Sequence, residues 1–130
     1  MEGINVWAVL VAAVSIFVLG GLWYSPMLFG KRWIRDAGME GKQGGHPARV
    51  FGTAFVFALV SAAAFAWLLG PDPALEPAIR TALVVGAGFV ATSFGINYQF
   101  ANRSLAMWLI DAGYHIVQFL LYALVLAWWP

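Results

Sequence analysis

Four long apolar runs separated by short polar or Pro/Gly-rich stretches set the pattern of this chain, over residues 4–29, 50–69, 78–100 and 105–129. At about 1.5 Å rise per residue, each is long enough to cross a hydrocarbon core of roughly 30 Å as a helix. The pattern predicts an all-α fold, an integral membrane four-helix transmembrane bundle forming a single domain over residues 1–130. Gly20, Gly21 and Pro26 predict a kink or close packing near the end of the first run. Residues 70–77, GPDPALEP, and 101–104, ANRS, are turns too short for anything but adjacent antiparallel packing of the helices they join.

Small residues recur at helical spacing. Ala54, Ala58, Ala62 and Ala66 form one stripe, and Ala87, Ala91 and Gly95 a second. In lipid such stripes let backbones approach closely, so they predict helix contacts and offer faces for a homo-oligomer. The second half of the third run carries Thr92, Ser93, Asn97 and Gln99, which is expected to face protein or water.

Residues 30–47, GKRWIRDAGMEGKQGGHP, make the one substantial polar segment. Residues 31–37 are expected to lie as a short helix in the headgroup region, with Trp33 and Ile34 toward lipid. Residues 38–47 read as a Gly-rich loop, and His46 there as a loop residue with no second ligand nearby. A cleaved leader is the competing reading of the first run. Its only preceding side-chain charge is Glu2, and the run is too long for a signal core.

Composition then excludes whole classes. With 62% hydrophobic and 10% charged residues, the chain is too apolar for a soluble domain of its size. It has no cysteine, which excludes disulfides, thiolate metal sites and cysteine nucleophiles. The net charge of +1 means little until the charges are placed. Lys31, Arg32, Arg35, Lys42, Arg49 and Arg103 fall in the loops after spans one and three, and only Arg80 lies toward the other side. By the positive-inside rule the basic loops are cytoplasmic and both termini outside, in an inner membrane. Trp7, Trp67, Trp128 and Trp129 then belong to the outer aromatic belt, and Trp23 and Trp108 to the inner one. No basic face is left over for nucleic acid.

Asp111 is the only formal charge in the fourth run, and His115 follows one helical turn later. Asp111 is about 10 Å into the bilayer and His115 about 6 Å deeper. A carboxylate at a helix centre costs roughly 2.5–3.5 kcal/mol on insertion scales, so both groups need partners. At i, i+4 the two share a face and can stabilise each other's charge. Depth brings Tyr24 and Asn97 to their level, giving a candidate binding cluster of Tyr24, Asn97, Asp111 and His115. The cluster serves either a proton, cation or substrate site or only helix packing. Two histidines are too few for a zinc or iron site, and a haem would need a symmetry-related His115 or an open coordination site. No cofactor, metal or catalytic residue is therefore assigned. No H-E-x-x-H, G-x-S-x-G, S-x-x-K or phosphate loop occurs, so nothing points to an enzyme.

The stretch Gly21-Leu-Trp-Tyr24 followed by Trp33-Ile-Arg-Asp-Ala-Gly38 echoes Gly95-Ile-Asn-Tyr98 followed by Trp108-Leu-Ile-Asp-Ala-Gly113. A parallel two-span duplication and chance both account for it. The run GGLWYSPMLFGKRW over residues 20–33, the Arg103-Ser-Leu turn and LIDAGYHIV over residues 109–117 together resemble the bacterial domain of unknown function 1761 family. The resemblance implies a small four-span protein of bacterial membranes and transfers no catalytic or binding residue. Two functions remain. One is a homo-oligomeric carrier or pore built on the Asp111 and His115 cluster, taking a small molecule or ion. The other is a scaffold or accessory subunit whose cluster fixes packing and whose basic loop meets anionic lipid or a partner. A water-accessible cavity reaching Asp111 separates the two.

Overall fold

A computed structural model describes residues 3–129. Four helical segments are long and apolar enough to cross a membrane, and the protein is a multi-pass, all-helical membrane protein. Helix α1 (Val6–Trp23) starts at Asn5, whose side chain accepts from the Ala8 amide. A turn through Pro26 ends the first span at Trp23, six residues before the apolar run itself ends. The short helix α2 (Gly30–Asp36) follows. Helix α3 (Pro47–Leu69) begins on His46, whose Nδ1 accepts from the Ala48 amide, with Pro47 in the first turn. The loop histidine is therefore a helix cap.

The third span is one helix with an irregular middle: α4 (Leu75–Leu83), a π-helical segment Val84–Val90, and α5 (Ala91–Phe100). Helix α6 (Leu105–Trp128) is capped by Ser104, which accepts from the Met107 amide. Helix α6 is the most buried span and sits at the centre, with α1 on one side and α4–α5 on the other.

The π-helical turn resets the packing face. Ala78, Ala82 and Gly86 are buried at i, i+4 spacing, and a regular α-helix would carry that face on to Ser93 and Asn97. One extra residue in the turn shifts it to Ala91, Phe94, Gly95 and Tyr98. Ala91 is buried and Gly95 lies against the Trp108 ring, whereas Ala87 points outward. For the same reason Thr92, Ser93, Asn97 and Gln99 are all exposed on the outer face of the span. A Cβ on Gly86 would stand 3.0 Å from the Ile116 Cα, a backbone atom that cannot swing aside. Gly86→Ala is expected to cost about 1–3 kcal/mol in unfolding from mild detergent, through overpacking. Gly21→Ala, whose added Cβ meets nothing within 4 Å, is expected to be neutral in the same assay.

Helix α3 departs from the expected bundle. It packs mainly on α1 and is not closely paired with α4, although a turn of only five residues joins them. The GPDP turn explains this: Gly70 and Asp72 take positive φ, and the chain leaves α3 at an angle instead of folding straight back. The alanine stripe is spent inside the subunit, where Ala58, Ala62 and Ala66 are buried in the core with Ala8, Ala12 and Ala13 of α1. Ala54 remains exposed. The result is a lateral cleft walled by α1, α3 and α6, with Val90 of the π-helical segment at its edge.

The two basic loops touch at one end of the bundle. Arg103 Nη1 donates to the Ala37 carbonyl at 3.3 Å, and the Ser104 hydroxyl donates to Asp36. At the other end Asn5 Nδ2 donates to the Trp129 carbonyl at 3.1 Å. The Ser104 hydroxyl and then the Arg32 guanidinium hold the Asp36 carboxyl below the usual aspartate range. A depressed folded-state value means stability that is fully present above the unfolded value and lost as pH falls through the folded one. Acidification below about pH 4 is therefore expected to loosen this loop contact. The protection of the residue 31–37 amides, relative to their intrinsic exchange rates, should fall there in the wild type, and already at neutral pH in Asp36→Asn.

Candidate functional site

The polar residues of the membrane interior form two separate groups. The first surrounds Asp111, a residue only 6% exposed. Tyr24, one residue beyond α1, donates its hydroxyl to Oδ1 at 2.5 Å. Tyr98, on the face the π turn restores, donates to Oδ2, and Trp33 Nε1 of α2 donates to the same oxygen at 3.2 Å. Three donors from three elements occupy the carboxyl oxygens, and Asp111 is absent from the walls of the five main cavities among the described residues. Hydrogen bonds to the carboxyl oxygens replace the water that burial removes. Trp23 Nε1 adds a bond to the Ile110 carbonyl at 2.9 Å, and Trp108 Nε1 one to the Ala91 carbonyl at 2.9 Å. Both tryptophans are thus staples between helices.

The second group begins at His115. Its ring stacks on Phe94 with centroids 4.9 Å apart, and its Nδ1 lies 2.5 Å from Gln118 Oε1. Gln118 Nε2 donates to the Tyr122 hydroxyl at 3.1 Å and reaches Ser61 Oγ at 3.4 Å. The Tyr122 and Ser61 hydroxyls are 2.7 Å apart, beside the Ala58 carbonyl. This chain of hydrogen bonds ties α6 to α3 across the floor of the cleft.

The cleft itself lies open beside this second group. A space of about 550 Å³ is walled by Phe17, Phe57, Val90, Phe119, His115 and Gln118 among others. A neighbouring space of about 440 Å³ runs on toward Tyr24 past Gly20, Gly21 and Tyr114. Tyr114 shares both walls and anchors its hydroxyl on the Ile16 carbonyl at 3.0 Å. The walls are apolar apart from the His115, Gln118 and Ser61 polar atoms and the tyrosine hydroxyls.

A family model described as "Protein of unknown function (DUF1761)" matches residues 7–127. The chain belongs to this family. Nothing among curated proteins or solved structures matches it. In this DUF1761 chain the segment GGLWYSP places Tyr24 on Asp111, and the segment LIDAGYHIV carries both Asp111 and His115 on α6.

Of the four residues predicted to cluster, the structure joins Tyr24 to Asp111 only. His115 faces Gln118 instead of Asp111, and no ion pair links the two among the described residues. Asn97 is exposed because the π turn gives its place to Tyr98. Trp33, expected toward lipid, turns inward to the carboxylate, while Ile34 stays exposed. Trp33, Tyr98, Ser61, Gln118 and Tyr122 were not singled out by depth or charge. Two signals for them do exist in the sequence. The echo aligning Gly21–Tyr24 with Gly95–Tyr98 pairs the two tyrosines that bind one carboxylate. Gln118 and Tyr122 follow His115 at i+3 and i+7, on its face of α6. No three metal-ligating side chains come together among the described residues.

Proposed function

We propose that the protein is a membrane-embedded binding protein or small carrier that receives a lipophilic molecule sideways from the bilayer. The observation supporting this reading is the splaying of α3 away from α4–α5 at the depth of His115. It leaves a cleft whose volume and largely apolar walls suit a small-molecule site. The contact residues move from Asp111 to His115, Gln118 and Ser61, while Asp111, Tyr24, Tyr98 and Trp33 hold the helices that form the walls. By charge placement the end carrying Lys31, Arg32, Arg35, Lys42, Arg49 and Arg103 is cytoplasmic, with both termini outside an inner membrane. A reporter fused after Pro130 should then be active outside only. A second subunit would meet exposed Ala54 and Ala87, since Ala58, Ala62, Ala66 and Ala91 are already buried.

The test is photolabelling in bilayer nanodiscs with a diazirine-bearing naphthalene. The expected labels lie on residues 54–61 and 114–119, and Ala54→Trp or Val60→Trp, which fill the cleft, abolish them. Labelling spread evenly over lipid-facing positions such as Val18 and Phe89, unchanged in both variants, overturns the reading. The sealed state of Asp111 favours a second reading, a scaffold or accessory subunit, in which the cleft receives a partner helix. In that case crosslinks from position 60 to another chain replace the naphthalene labels.

A further inference from the structure

We infer that His115 offers the cleft an unprotonated Nε2, so that the site selects lipophilic molecules bearing a hydrogen-bond-donating head such as a phenol or alcohol. This rests on the binding reading above and adds the chemistry of the ligand. The protons available to the network decide the tautomer. The Ser61 hydroxyl, the Tyr122 hydroxyl and the Ala58 carbonyl oxygen form a triangle with sides of 2.7, 3.0 and 3.1 Å. Two hydroxyl protons are available for it. One lies between the hydroxyls, and the other goes to the carbonyl, which has none to give.

With both protons used, neither hydroxyl can donate to Gln118. The Gln118 amide must therefore turn its NH₂ toward Tyr122 and Ser61, as its contacts at 3.1 and 3.4 Å require. Its Oε1 then faces the imidazole, and a carbonyl oxygen only accepts. When the ring carries a single proton, Oε1 holds that proton on Nδ1, and Nε2 keeps a lone pair. Among the described residues Nε2 has no hydrogen-bond partner. It is not sealed in either, because no fully buried side-chain nitrogen or oxygen of the described residues lacks a partner. The cavity that includes His115 in its wall is the lateral cleft.

A lone pair among apolar walls at mid-membrane depth, with little water to compete, is matched by a donor on an apolar body. An ether or a ketone of the same shape would meet Nε2 with a second lone pair. Phe17, Phe57 and Phe119 in the walls suit an aromatic or extended hydrocarbon body. Phe94 behind the ring and Gln118 at Nδ1 hold the imidazole plane, so the direction of Nε2 is fixed before a ligand arrives.

The chain has two histidines, His46 and His115, so ¹⁵N spectra of histidine-labelled protein in nanodiscs resolve each ring. The expected resting spectrum of His115 has a protonated Nδ1 and a lone-pair Nε2. Adding 2-naphthol is expected to move the Nε2 signal and leave Nδ1 in place, while 2-methoxynaphthalene enters the cleft without moving Nε2. The naphthol should bind about tenfold tighter than the ether, the worth of roughly one hydrogen bond. Gln118→Leu, which removes the group that fixes the tautomer, should bring that ratio close to one. A protonated Nε2 at rest, or equal binding of both probes to the wild type, overturns the donor preference while leaving the cleft as a site. Absence of binding by either probe removes the cleft reading as well.

Discussion

Asp111→Leu is expected to produce the largest loss of stability of any single change in the membrane interior, about 3 kcal/mol in reversible unfolding from mild detergent. The carboxylate receives Tyr24, Tyr98 and Trp33, and leucine strands all three donors at once. Charge-assisted bonds in water contribute roughly 1.5–3 kcal/mol each, and polar contacts between spans average nearer 0.6 kcal/mol, which sets the figure between a single bond and three full ones. Asp111→Asn keeps one accepting oxygen, and a tyrosine hydroxyl can rotate to accept from its NH₂, so about half that loss is expected. Tyr24→Phe and Tyr98→Phe each remove one donor. If Asp111 joins them, the double variant in an Asp111→Leu background costs little more than Asp111→Leu alone. Additive losses would show that the three act separately.

The second large effect is expected at Gly30, in the turn that brings α2 against the bundle. A Cβ there would lie 2.1 Å from the Tyr24 carbonyl oxygen and 2.9 Å from the Ser25 carbonyl, both backbone atoms. The same turn is held by Phe29 N to the Trp23 carbonyl at 3.1 Å and Gly30 N to the Ser25 carbonyl at 3.0 Å. Gly30→Ala has to open this turn, carrying Trp33 away from Asp111 and Ser104 away from Asp36. A cost of about 2–3 kcal/mol follows, together with a shift of the Trp33 indole N–H signal to that of a solvated indole. Unchanged stability and an unshifted indole would mean that α2 docks independently of the turn. Gly21→Ala, nine positions earlier and unobstructed, controls for loss of glycine as such.

Much of this architecture is legible in the sequence because bilayer thickness fixes how many apolar residues a span needs. The four spans, the junctions between them and the basic end all follow from that one length. The π turn at Val84–Val90 is not legible, since VVGAGFV carries no proline and no polar breaker to mark it. Its one-residue insertion is what replaces Asn97 by Tyr98 at the carboxylate, and it breaks the Ala87, Ala91 and Gly95 stripe, so that Gly86 and not Ala87 shares a face with Ala91. Depth counting finds the level of a residue but not its azimuth, so Tyr24 is placed correctly and Asn97 is not. Trp33 escapes the same reasoning because a tryptophan beside Lys31 and Arg32 reads as an interfacial anchor. Only the turn closed by Gly30 sends it inward. The cleft was equally hidden, because a five-residue connection ordinarily implies neighbouring helices and here Gly70 and Asp72 send α4 elsewhere.

Asp111 and His115, one helical turn apart on α6 and both ionisable, thus divide their work: one is sealed among donors and fixes the helices, the other faces a cleft in the side of the bundle. The sealing can be read directly. The chain contains three aspartates, Asp36, Asp72 and Asp111, so carboxyl-¹³C labelling gives three side-chain signals in nanodiscs. With magnetisation started on water, two signals are predicted to grow rapidly and one to stay dark, and the dark one should vanish in Asp111→Asn. Rapid transfer from water to all three carboxyls would contradict the account at its centre.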